Sequence, residues 1–167
     1  MDKTCVAYFS KVGNTAIAAK YLAEKISADL IRLDDQTKYK GFIGFIKGGL
    51  LASTAKQAAL KPEVYKKMAE YKTIILATPI WAGKTTPAIN AVFENVDFKG
   101  KKVYAVTTQA DPNASGAKER KQFYKAEIES KGGEFVDYFP LAGSAPGKPP
   151  RSEADLCAQV DKKVKLK

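Results

Sequence analysis

Three short stretches hold the residues best suited to chemistry. The first is Ser10-Lys11-Val12-Gly13-Asn14-Thr15. Ser10, Asn14 and Thr15 can supply side-chain hydrogen bonds, and Gly13 permits a tight backbone turn. A helix beginning here adds unpaired N–H groups. Together these make an anion pocket sized for one phosphate, with an ordinary capped turn as the alternative. The loop lacks the three glycines of a dinucleotide fingerprint, and Asp34 or Asp35 alone does not restore that reading. The second stretch is Thr78-Pro79-Ile80-Trp81-Ala82-Gly83-Lys84-Thr85. Its Gly83-Lys84-Thr85 copies the end of a Walker A motif, whose first glycine would stand at position 78, here a threonine. Pro79 and Trp81 also fill a loop that would have to wrap phosphate with bare backbone, so a P-loop is rejected. What remains is a flat aromatic beside Pro79, Ala82 and Gly83, able to pack on a planar ring and offer peptide groups to its edge. The alternative is Trp81 as a core residue capping the helix behind it. The third stretch, Thr108 and Gln109 through Gly116, is polar and turn-rich. It is long enough to reach a ligand and equally suited to be a solvated connector.

What the chain lacks narrows the chemistry further. It has 167 residues and no histidine, which removes histidine triads, a histidine general base and Cys/His or His/carboxylate zinc sites. The two cysteines, Cys5 and Cys157, lie far apart and form no CxxC pair, so a reduced, cytoplasmic setting is expected. Neither is given a chemical role, and no catalytic side chain or metal site is assigned. The start of the chain runs straight into a strand-like segment with no targeting pattern. Residues 41–52 are apolar but broken by Lys47 and too short for a membrane span, so a soluble protein is expected. The formal charge is +10, from 28 basic and 18 acidic side chains. Residues 38–72 carry eight lysines against Glu63 and Glu70, and residues 148–167 carry six basic and three acidic groups. With only three arginines and no nucleic-acid motif, nucleic acid is disfavoured as a partner. A solvated lysine surface, or a docking face for an acidic protein, accounts for the charge.

The elements that position these loops follow from periodicity. Residues 4–9 form a short apolar run, and from Thr15 the pattern changes to a four-residue repeat of Ala18, Leu22 and Ile26, a strand, turn and amphipathic helix. Further strands are expected over 29–33, 73–77, 102–107 and 135–141. Helices are expected over 62–71, behind the Thr86-Pro87 cap, over 116–131 and over 152–164. Five strands alternating with helices imply an α/β doubly wound sandwich of three layers, a parallel sheet covered on both faces. No repeat or second domain is visible, so residues 1–167 read as one domain. In such sheets ligands bind at the carboxyl ends of the strands, where strand order reverses. The three loops follow strands 1, 3 and 4.

The stretches YFSKVGNTAIAAKYLAE (8–24) and ATPIWAGKTTPAINAVFE (77–94) resemble the phosphate loop and the ring-stacking loop of the flavodoxin family. The resemblance implies strand order 2-1-3-4-5 and non-covalent flavin mononucleotide (FMN). Carried over, Ser10, Val12, Gly13, Asn14 and Thr15 bind phosphate, Pro79, Ile80, Trp81, Ala82 and Gly83 border the ring, and Thr108 and Gln109 are third-loop contacts. It further implies an electron carrier, here with an acidic redox partner. The runner-up is an NAD(P)H-dependent reductase acting on quinones or similar acceptors, and a third possibility is a flavin-free binding module. The chain departs from the acidic carriers in its charge. Residues 39–60 resemble an insertion in some flavodoxin-like proteins. It could cover the sheet, flap over the flavin, or pair subunits through Phe42, Ile43, Phe45 and Ile46. Oligomeric state is left open.

Overall fold

A computed structural model describes residues 3–35 and 58–167 of the chain. The reading of residues 39–60 as an insertion therefore lies outside the described residues as far as residue 57. Beyond it Ala58 and Leu60 are buried, and the Ala58 N–H donates to the Pro87 carbonyl at 2.9 Å.

The strands are β1 (Thr4–Tyr8), β2 (Asp29–Arg32), β3 (Thr73–Pro79), β4 (Lys102–Gln109) and β5 (Glu134–Ala142). They form one sheet in the order β2-β1-β3-β4-β5, with every neighbouring pair parallel. The helices of the described residues are α1 (Asn14–Lys25), α2 (Pro62–Ala69), α3 (Pro87–Asn95), α4 (Ala117–Ser130) and α5 (Glu153–Lys163). This is the doubly wound, flavodoxin-like arrangement that the order of elements and the resemblance imply. Among the described residues no helix is long and apolar enough to cross a membrane.

Alternation along the strands sorts the core into two halves. On one face Cys5, Ala7, Ile74, Leu76, Val103 and Ala105 pack with Met68 of α2, Ile89 and Val92 of α3, and Tyr124 and Ile128 of α4. On the other, Val6, Ile75, Ala77, Tyr104 and Val106 pack with Ala18, Leu22 and Ala23 of α1 and Val160 of α5. Residues Ile74 to Ala77 of β3 are fully buried, which explains why this strand is a continuous apolar run. Burial in this core pushes the Cys5 thiol up to about 12, so it remains an inert thiol. Lys101 is buried too. Its ammonium donates to the Ala69 and Tyr71 carbonyls at 2.7 Å each and so satisfies the chain end of α2.

Two strands run further than their apolar cores suggest. β3 continues to Pro79 and β4 to Gln109. Thr108 and Gln109 thus belong to a strand and not to a loop, because β4 still pairs there with Leu141 and Ala142 of β5. The helix read over 62–71 stops at Ala69.

Two packing details set opposite stability expectations. A Cβ at Gly133 would lie 2.8 Å from Ile128 Cγ2 and 2.9 Å from Phe98 Cβ, in a region with no room to give. Gly133→Ala should therefore cost about 1–3 kcal/mol in urea unfolding, and an unchanged midpoint would contradict this packing. The Tyr124 hydroxyl is buried and, among the described residues, has no hydrogen-bond partner. A stranded hydroxyl gains nothing from the phenol. Tyr124→Phe should leave the thermal midpoint unchanged or raise it, and a clear fall would reveal a partner.

Candidate functional site

A cleft of about 470 Å³ opens at the carboxyl ends of the strands, a size suited to a small-molecule ligand. It lies where the chain passes from β1 to β3 and the strand order reverses. Segments following β1, β3, β4 and β5 supply its walls.

The β1–α1 turn is set by Gly13, whose φ of 113° favours glycine. Gly13 is the N-cap of α1, and no side chain caps the first-turn N–H groups of that helix. Ser10 Oγ accepts from the Gly13 N–H at 3.2 Å and holds the turn closed. A Cβ on Gly13 would press on Pro150 Cγ at 3.3 Å, so the glycine also lets the later chain approach. Asn14 is buried, with its Oδ1 accepting from the Arg151 N–H at 2.9 Å and from Ser144 Oγ at 3.3 Å. Because a backbone N–H only donates, the amide oxygen is fixed on that side and its NH2 is free to serve as the donor. Thr15 Oγ1 pairs with Thr108 Oγ1 at 2.7 Å, a bond that uses one of the two hydroxyl protons.

After β3, Trp81 and Lys84 exchange backbone hydrogen bonds of 3.0 and 2.9 Å around Ala82 and Gly83, whose φ values are 48° and 76°. Two positive φ values in a two-residue loop make a type I′ turn, with Ala82 in a conformation that favours glycine. The Trp81 ring is buried edge-on against Phe9 at 5.4 Å, and Trp81 also lines the cleft. Lys11 Nζ stands 5.8 Å from the Trp81 ring centroid, in range of a cation–π contact. Burial pulls the Lys11 ammonium below its ordinary value. Thr86 takes the N-cap position of α3, but its hydroxyl pairs with Thr78 Oγ1 at 2.8 Å instead of capping.

Of the residues singled out from sequence, Val12, Asn14, Pro79, Ile80, Trp81, Thr108 and Gln109 line this cleft. Ser10 and Gly13 border a shallower depression beside it, of about 240 Å³, with Val12, Lys11 and Arg32. Thr15 is buried behind the wall, while Ala82 and Gly83 are exposed at the turn tip and do not line the cleft. Sequence reasoning missed Lys11, Ala110 and the wall formed by Gly143, Ser144, Pro146 and Gly147. Extending the strand-end rule to β5 would have found that wall.

The segment after β4 is held by Asp111. Its carboxylate accepts from the Asn113 N–H at 2.9 Å and the Ser115 N–H at 2.8 Å, and hydrogen bonds from Ser115 and Asn113 keep it below the usual aspartate range. A carboxylate whose folded value is depressed gives its support above its unfolded value and withdraws it as pH falls through the folded one. Amide protection at Asn113 and Ser115, measured as exchange relative to the unstructured chain at the same pH, should thus fall as pH drops through the acid range, and Asp111→Ala should show low protection at every pH. Equal protection in the variant would rule the bonds out.

The cleft combines features that suit a phosphate ester of a planar ring. Asn14, the first residue of the uncapped helix α1, lines it together with Trp81, Ile80 and Pro79. No curated protein matches the chain in sequence. Among solved structures, a protein from Bacteroides uniformis assigned as a flavoprotein is 27% identical, with a TM-score of 0.73 over 96% of this chain and 98% of its own. A flavoprotein from Lactobacillus acidophilus, solved in complex with FMN, shares 16% identity and a TM-score of 0.66 over 84% and 93% of the two chains. The apo form of an NADH:FMN oxidoreductase shares 15% identity and a TM-score of 0.57 over 97% and 88%. These last two likenesses show the fold alone. The family model described as flavodoxin matches residues 3–140, and with the strand order and the β1–α1 turn already in place, the chain belongs to the flavodoxin family, whose members bind FMN.

Proposed function

We propose that this protein holds FMN in the cleft and serves as an electron-transfer flavoprotein. The observation that carries the reading is the juxtaposition of the uncapped α1 N-terminus with the Trp81 wall in one cleft at the strand-order reversal. The first-turn N–H groups of α1 and the Asn14 amide would receive the phosphate, with the Ser10 hydroxyl at the adjoining depression and Thr15 behind them pinned to Thr108. Val12, Ile80 and Trp81 would exclude water from the ring, with Pro79 and Thr108 completing that wall. When bound, FMN supplies one- and two-electron redox chemistry, and the protein's part is position and electrostatics. Lys11 brings a partly desolvated positive charge to the cleft, where it favours negative charge on a ligand. No side chain is asked to act as general acid or base.

The partner we propose is an acidic redox protein. Lys84 at the turn tip and Lys148 in the β5–α5 loop are exposed near the cleft, and the chain as a whole carries +10. The second reading, an NAD(P)H-dependent reductase for quinones or similar acceptors, takes support from the fold shared with the NADH:FMN oxidoreductase. In it the same cations would attract the nicotinamide nucleotide's phosphates.

Trp81 is the only tryptophan and reports directly on the cleft. Titration with FMN should quench its fluorescence with one-to-one stoichiometry and shift the flavin absorption bands. Riboflavin, lacking the phosphate, should bind at least about tenfold more weakly, since hydrogen bonds to charged groups contribute about 1.5–3 kcal/mol each. Equal affinities would contradict the phosphate assignment, and no quenching by either would sink the flavin reading in favour of a flavin-free binding module. Adding NADH or NADPH with a quinone then separates the two functions. Rapid turnover without a partner protein selects the reductase; its absence, with reduction by a low-potential redox protein that weakens at high salt, selects the carrier.

A further inference from the structure

Arg120 sits half-buried on α4, eleven residues after the end of β4, and reaches back to the cleft wall. Its terminal NH2 donates to Gln109 Oε1 at 2.7 Å and to the Ser115 carbonyl at 2.7 Å, and its Nε donates to the Tyr138 hydroxyl at 3.1 Å. Thr107 Oγ1 donates to the same Tyr138 hydroxyl at 2.7 Å, so the phenol oxygen is held from two sides. The chain also leaves space for the guanidinium. A Cβ on Gly116, which stands at φ 73°, would lie 2.8 Å from an Arg120 terminal nitrogen. The fork is thus fixed by two strands and a loop at once.

The consequence falls on Gln109. A guanidinium has donors only, so it holds the Gln109 amide with its oxygen turned to Arg120 and prevents a flip. Gln109 is buried, lines the cleft, and directs Nε2 at the Asp111 carbonyl 3.3 Å away. That contact occupies one of two amide hydrogens. We propose that Arg120 is a positioning residue that fixes Gln109 as a hydrogen-bond donor to a carbonyl oxygen of the bound ring and, through it, raises the ring's reduction potential. The inference rests on the flavin reading above. The dioxopyrimidine edge of a flavin offers two carbonyl acceptors and one N–H. A locked donor suits the former, and it gains strength when reduction places negative charge on that edge.

The test compares wild type, Arg120→Met, Arg120→Lys, Gln109→Leu and the Arg120→Met/Gln109→Leu double variant, all loaded with FMN. Midpoint potentials come from equilibration with a reference dye, and FMN affinity from quenching of flavin fluorescence. Arg120→Met and Gln109→Leu should each lower the ratio of reduced to oxidised binding about tenfold, which is about 30 mV for a two-electron couple. Oxidised-state affinity should change less than that. The double variant should fall no further than Gln109→Leu alone, because both changes remove one interaction. Arg120→Lys keeps the charge without the fork and should recover only part of the shift. Potentials that stay at the wild-type value overturn the proposal, and so do shifts that add in the double variant or full recovery with lysine, since both mark a field effect that bypasses Gln109. Should Arg120→Met fail to fold by circular dichroism, Gln109→Leu and Arg120→Lys decide alone: no shift in Gln109→Leu overturns the idea. A wild-type protein that takes up no FMN overturns the flavin reading itself, and this proposal with it.

Discussion

Parallel pairing of β1 with β3, β3 with β4 and β4 with β5 brings the last residues of four strands to one edge, and every feature of the cleft depends on it. In a parallel sheet successive strands run the same way, so each crossover begins at the same edge and each α-helix N-terminus points back toward it. The reversal of order at β1 and β3 prevents the first crossover from covering the gap. Register then sets the depth of the cleft: Tyr8 pairs with Ala77, whereas β3 and β4 continue together to Pro79 and Thr108. The two longer strands carry Ile80 and Gln109 above the first loop, and the Ile80 N–H donating to the Thr108 carbonyl at 2.9 Å joins them at the rim.

Buried threonine hydroxyls beneath the strand ends all find partners. Thr15 meets Thr108, Thr78 meets Thr86, Thr85 donates to Asn90, and Thr107 donates to Tyr138, all in buried positions. Burying such groups costs free energy unless each finds a partner, and the bonds join β3 to α3 (Thr78–Thr86), α1 to β4 (Thr15–Thr108) and β4 to β5 (Thr107–Tyr138). A β-branched hydroxyl residue serves both needs, since it favours extended backbone and still bonds sideways. The cleft itself is lined both by polar side chains, Asn14, Thr108 and Gln109, and by apolar ones, Val12, Pro79, Ile80 and Trp81. A ligand with a charged end and a flat apolar body fits this division.

Much of this was legible in the chain. Apolar runs exposed the strand cores because buried parallel strands have no polar face, and the shift to a four-residue repeat after Thr15 marked the first helix. Gly13 and its hydroxyl neighbours were legible as well, since a turn with positive φ at a helix start restricts residue type severely. The ends of β3 and β4 were not. Thr108 and Gln109 look like loop residues, and only their pairing with neighbouring strands keeps them extended. The wall from Gly143 to Gly147 carries few groups with distinctive chemistry, so composition showed a turn and nothing more.

The sequence by itself determined the alternation of strands and helices, the absence of histidine chemistry and the make-up of the first two loops, because these are local or compositional properties. Only the tertiary structure decided that Asn14 would tie down Arg151, that Trp81 would be both core and wall, and that Arg120 would reach Gln109. Each of those outcomes joins residues from separate elements. Arg120 is one of many charged positions on α4, and nothing local distinguishes it from Lys118 or Lys121. Its role comes from the register that sets Tyr138 beside β4 and from the open space at Gly116, which are properties of packing rather than of sequence spacing.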